Sequence, residues 1–100
     1  MGFVLDVAGF GARTAPLQNE VQRRLPPLVI NTLAECGMDL DRVGHEWTGD
    51  GINVIMPADT DPSTALPILI RALAALLGEH NALFSDRIRL RCLMWVVSPM

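Results

Sequence analysis

Two rhythms of apolar and polar positions run along this chain. Ile52, Val54 and Met56 alternate with Asn53 and Ile55, the period of two that predicts a strand. Upstream, 42–47 alternates as well: Val43, His45 and Trp47 fall on one face, Gly44 and Glu46 on the other. Gly49-Asp50-Gly51 lies between them, which predicts a tight hairpin turn with glycine at its positive-φ positions. Phe3 to Ala8 is an apolar run bounded by Gly2 and Gly9, and reads as a buried strand interrupted by Asp6. Arg87-Ile88-Arg89-Leu90-Arg91-Cys92 alternates strictly and becomes apolar on both faces from Leu93 to Val97, which predicts a last strand.

Between these runs the period lengthens to that of a helix. Leu17, Val21, Leu25 and Leu28 recur at helical spacing after Pro16, a residue suited to a first turn. Pro26-Pro27 predicts a break, because neither proline has an N–H and each restricts the residue before it. The region from 16 to 36 is therefore expected as two helical pieces, the second facing inward with Leu28, Val29, Leu33 and Cys36 and stopped by Gly37. A further helix is expected from 64 to 80, capped by Thr64, with Pro67 in its first turn. Leu66, Leu69, Ile70, Leu73, Leu76 and Leu77 form its core stripe, and Glu79, His80 and Asn81 its solvated end.

The order is strand, split helix, strand, strand, helix, strand. Right-handed crossovers place the first strand beside the third, with the second and fourth outside, in sheet order 4-1-3-2. This is an α+β ferredoxin-like sandwich with its helices on one face. The first and third strands run antiparallel in that topology, so the end of one meets the start of the other, and Asp6 and Asp50 become neighbours.

Composition narrows the picture. The chain has 100 residues, half of them hydrophobic, which fits a single domain spanning 1–100 with one modest core. A net charge of -3 gives no basic surplus for nucleic acid or an anionic membrane. The apolar stretches near 65–77 and 92–97 are too short or too interrupted to span a bilayer, and the N-terminus has no signal-type run. Cys36 and Cys92 are far apart without CxxC spacing, and read as reduced core thiols of a cytoplasmic protein.

Candidate chemistry follows from the carboxylates. Asp6 within an apolar strand is costly unless paired or bound to a cation. Asp50 at a hairpin tip is either a turn former or a ligand. Two adjacent carboxylates repel, and a divalent cation relieves that; hard oxygen donors suit Mg²⁺ or Mn²⁺ with substrate phosphates. His45 has no partner at ligand spacing and reads as structural. Gly9-Phe10-Gly11-Ala12-Arg13-Thr14 is an incomplete dinucleotide-binding pattern, with Thr14 where a third glycine belongs. Arg87, Arg89 and Arg91 share one face, either as a solvated edge or as an anion-binding surface.

Phe3-Val4-Leu5-Asp6-Val7-Ala8-Gly9-Phe10 resembles the first strand of the class III nucleotide cyclase catalytic domain, and Glu46-Trp47-Thr48-Gly49-Asp50-Gly51 resembles that family's central hairpin. The likeness is to small actinobacterial cyclase-like domains in particular, and covers the family domain through its fourth strand. The resemblance implies metal ligation by Asp6, Asp50 and the Val7 carbonyl, with Gly9, Phe10 and Gly49 beside the nucleotide. It implies that Glu46 stands where guanylate cyclases read guanine, favouring GTP over ATP, since a carboxylate accepts from the guanine N1–H and amino group. It further implies a homodimer or a partner chain. The family's later Asn and Arg, which hold the transition state, have no counterpart in these 100 residues, so the expected turnover is weak or absent. The alternative is a non-catalytic interaction or dimerisation module on the same fold.

Overall fold

The structure, a computed structural model, describes residues 1–96. Four strands, β1 (Gly2–Val7), β2 (Gly44–Thr48), β3 (Gly51–Ile55) and β4 (Leu90–Trp95), accompany two long helices, α1 (Ala15–Glu35) and α2 (Pro62–Leu83). Single 3₁₀ turns at Phe10–Ala12 and Leu40–Arg42 complete the chain. The sheet order is β2-β3-β1-β4 and every pairing is antiparallel. This is the α+β sandwich the sequence predicts, with the same strand order. Because β1 is antiparallel to both neighbours, the glycines after it do not open the parallel unit that dinucleotide binding uses.

The register explains which side chains are buried. Phe3, Leu5 and Val7 of β1 sit opposite Val54, Ile52 and, on the other side, Met94, Cys92 and Leu90. All of these point toward the helices, while Val4 and Asp6 point away. Val21, Leu25, Leu28, Val29 and Leu33 of α1 close over the first group together with Leu69 of α2 and Ile88. Each fully buried aliphatic side chain contributes about 1.5–3 kcal/mol before the cost of chain ordering.

Several local expectations change. α1 runs unbroken through Pro26 and Pro27. The carbonyls deprived of N–H partners belong to Gln22 and Arg23, both on the exposed flank and so open to solvent, while Leu25, Leu28 and Val29 anchor the helix on either side. At its end Gly37 takes φ 72°; its N–H reaches the Ala34 carbonyl at 2.9 Å and that of Met38 the Leu33 carbonyl at 3.0 Å, so the predicted glycine stop holds. α2 starts earlier than expected and is capped by Asp61 instead of Thr64. The Asp61 carboxylate accepts from the Ser63 N–H at 3.1 Å and the Thr64 hydroxyl at 2.9 Å, a stronger acceptor than a hydroxyl. Pro67 consequently lies in the helix interior.

α2 is also 22 residues long and, by length and composition, apolar enough to cross a membrane, contrary to the shorter stretch expected. Here it packs on the core through Leu69, Leu73, Leu76 and Leu77. Its stripe is wider than the core it meets, for Ile70 stays 57% exposed. β4 begins at Leu90, three residues later than the alternation suggested, and Cys92, expected in the core, is exposed in a groove between this edge strand and α2 lined by Ile70, Leu73 and Leu77. Val97, expected in the last strand, lies outside the described residues.

Candidate functional site

The β1–β3 register sets the geometry of the acidic pair. Asp6 pairs with Gly51, and the Val7 N–H donates to the Asp50 carbonyl at 2.8 Å. Asp6 and Asp50 therefore occupy adjacent strand ends, as the topology predicted. Gly51 permits this approach. A Cβ there would overlap the Leu5 carbonyl of β1, so the residue is needed for the contact between strands and not for a special φ. Positive φ occurs among the described residues only at Gly9 and Gly37, so the hairpin turn is not of the positive-φ kind expected from Gly49-Asp50-Gly51. Its tip is held instead by Gln22 of α1, whose side-chain amide donates to the Gly49 carbonyl at 2.8 Å. The Thr48 hydroxyl donates to Asp50 Oδ1 at 3.4 Å.

One further residue joins the pair. Arg91 faces the same side of the sheet, directly opposite Asp6 in the β1–β4 register, and its Nε donates to Asp6 Oδ1 at 2.7 Å. The Asp6 hydrogen bond and charge raise the Arg91 pKa above its ordinary value, with Asp50 adding in the same direction. Arg91 thus stands within the field of both carboxylates and answers the cost of placing Asp6 in the sheet. Sequence reasoning had both residues but not their pairing; extending the strand order to register would have found it.

The remaining predicted residues divide into two groups. Gly9 and Phe10 leave β1 at the same end, Gly9 with φ 71° and Phe10 half-buried against the core. Val7 buries its side chain, leaving only its backbone at the site. Glu46 sits elsewhere: it is exposed on β2 opposite Asn53, two strands from Asp6 and so roughly 10 Å across the sheet. It lines a shallow groove of about 420 Å³ on the open face with Val4, Asn53, Ile55 and Trp95. Trp95 lies over Gly2, where a Cβ would overlap its ring. Of the three arginines predicted to share a face, only Arg91 lies within β4.

The donor set of Asp6, Asp50 and a main-chain carbonyl is hard oxygen throughout, which fits Mg²⁺ or Mn²⁺. Among the described residues no group of three or more His, Cys, Asp or Glu side chains converges. A cation here would therefore draw its remaining ligands from water and phosphate oxygens, and would exchange places with the Arg91 guanidinium on Asp6.

A second cluster, which the sequence did not reveal, lies on the opposite, helix-covered face. Arg24 of α1 is 6% exposed. Its Nε donates to His80 Nε2 at 2.7 Å, its Nη2 to the Asp86 carbonyl at 2.8 Å, and its guanidinium lies 4.0 Å from the centre of the Phe84 ring. Arg13, from the glycine-rich turn, donates to both Asp86 oxygens at 3.3 and 3.4 Å and to the Ala8 and Arg87 carbonyls. The residue before Thr14 in that turn is thus a structural arginine. His80 and Asn81, expected to be solvated, are half-buried. The Asn81 side chain makes two hydrogen bonds with the Ile88 backbone, at 2.8 and 2.9 Å.

Compared with protein-family models, with curated proteins and with solved structures, the chain matches none.

Proposed function

We propose that this domain is a nucleotide cyclase-like module that binds a nucleoside triphosphate with a divalent cation at the β1–β3 end of its open sheet face, with weak or no turnover. The observation that carries this reading is the register that brings Asp6 and Asp50 to adjacent strand ends beside the Val7 backbone. Asp6, Asp50 and the Val7 carbonyl hold Mg²⁺ or Mn²⁺, which neutralises phosphate charge when bound. Gly9, Phe10 and Gly49 border the phosphates. Glu46, in its groove with Trp95, accepts from the base edge, so GTP is favoured over ATP. The spacing between Glu46 and the aspartates, roughly 10 Å, suits a base at one end and phosphates at the other. The setting is cytoplasmic, in keeping with the two free thiols.

The same face supports a second reading, a dimerisation or regulatory module without nucleotide. Ile55 is 62% and Leu93 69% exposed beside Trp95, an apolar surface that favours association with a second copy. Calorimetric titration separates the two. Mn²⁺–GTP is expected to bind the wild type more tightly than Mn²⁺–ATP, and not to bind Asp50→Ala, with no cyclic nucleotide formed. Equal or absent binding in both proteins leaves the association module, whose mark is a homodimer disrupted by Trp95→Asp in sedimentation. Robust cyclic GTP production would show full catalysis instead.

A further inference from the structure

The Arg24–His80 contact has a chemical requirement. A guanidinium has donors only, so at 2.7 Å His80 Nε2 must supply the lone pair. The imidazole is therefore neutral, with its proton on Nδ1. It is stacked on Phe84, centroids 4.6 Å apart, and Phe84 opens the connector from α2 to β4.

The charges around it leave no room for another cation. Arg24 faces His80 from α1, with Glu20 on the same helix acting on Arg24 from further away. Asp86 of the connector is one carboxylate serving two guanidiniums, Arg13 from the turn after β1 and Arg24.

We propose that His80 is an acid-sensitive latch on the α2–β4 connector. When a solvent proton binds Nε2, the acceptor for Arg24 is lost and two cations stand in contact with a single shared carboxylate between three positive groups. Separation relieves this, and the mobile partner is the last turn of α2, which carries His80, with the connector that follows it, because Arg24 is flanked on α1 by the buried Val21, Leu25 and Leu28. The bonds released in turn are those of Arg24 to the Asp86 carbonyl and of Asn81 to Ile88. The Ala8 N–H to Arg89 carbonyl bond, 2.8 Å, closes the β1–β4 ladder just beyond this point, so its protection weakens next. Burial, then the neighbouring Arg24 charge, hold the His80 pKa below its ordinary value, as the contact requires. The latch is a property of the fold and operates whether or not the sheet face binds a triphosphate.

The test uses the full chain. It contains two histidines, so His45→Gln leaves His80 as the sole imidazole for an NMR titration. That imidazole is expected to titrate below the ordinary histidine value of about 6.5. Across the same titration the Ile88 and Ala8 amides, corrected for intrinsic rate, are expected to lose protection, while the β2–β3 amides keep theirs. In His80→Gln, which remains neutral and retains an acceptor, exchange at both amides should not change with pH beyond the intrinsic correction. A His80 pKa at or above the ordinary value overturns the latch, and so does acid exchange at Ile88 that persists in His80→Gln. Should His80→Gln fail to fold, the single-histidine titration alone decides: His80 protonation without loss of Ile88 protection refutes the proposal.

Discussion

Two aspartate–arginine groups, a pair and a triad, sit on opposite faces of this sheet and differ in how they are held. Asp6–Arg91 is a single bond on the open face, with Arg91 69% exposed in its side chain. Asp86 with Arg13 and Arg24 is held from several directions, and the Arg24 side chain is 5% exposed. The first is a contact that water or a ligand replaces at little cost, since exposed ion pairs contribute little to stability. The second closes three segments distant in sequence, and losing a member strands buried polar groups. An ion pair that is free to exchange belongs to recognition; one enclosed by other hydrogen bonds belongs to architecture.

The sharpest way to break this comparison is Arg24→Ala. It removes the donor to His80 and to the Asp86 carbonyl and the cation over Phe84, and is expected to destabilise by roughly 3 kcal/mol. The urea midpoint should fall at unchanged slope. Gly51→Ala comes next, at about 1–3 kcal/mol, because its methyl group meets the Leu5 carbonyl and forces the strands apart. Alone among these variants it should cost both stability and Mn²⁺ binding, as it separates Asp6 from Asp50. Acid provides a graded version of the first test. The folded-state pKa of His80 lies below its unfolded value, so the native state binds fewer protons. Its contribution is complete above about pH 6.5 and is lost as pH falls through the folded value. Thermal midpoints should drop over that range in the wild type and hold level in His80→Gln. The smallest effect on folding belongs to Arg91→Met, whose melting temperature should match the wild type. Its free Mn²⁺ affinity should rise, because the counter-ion on Asp6 is gone. Unchanged affinity would show that the cation and Arg91 do not share that carboxylate.

What the sequence revealed follows the same division. Strand periodicity at 52–56, the Gly37 stop and the crossover rule together led to the strand order, and hence to the neighbouring of Asp6 and Asp50. These are local signals joined by one topological rule. The Arg24 cluster joins residues 56 to 73 positions apart, and no local pattern marks them; His80 and Asn81 look like an ordinary polar helix end. Pro26-Pro27 misled for a related reason. Its local cost is real, but burial of Leu25, Leu28 and Val29 outweighs it once α1 lies on the sheet. At 61–64, two rival caps were present, and the carboxylate outcompeted the hydroxyl.

Those two prolines have a consequence for how α1 opens. Neither has an amide proton, so the ladder between residues 22–23 and 26–27 is missing two rungs in succession. The helix is one element in shape but two in cooperativity. Its first half is tied to the core by Val21 and Leu25, to the hairpin tip by Gln22 and to the connector by Arg24, and its second half to the core alone by Leu28, Val29 and Leu33. Hydrogen exchange should resolve two protection classes along α1, separated at the proline pair, with fluctuations on the sheet's site end passing into the first half and stopping there.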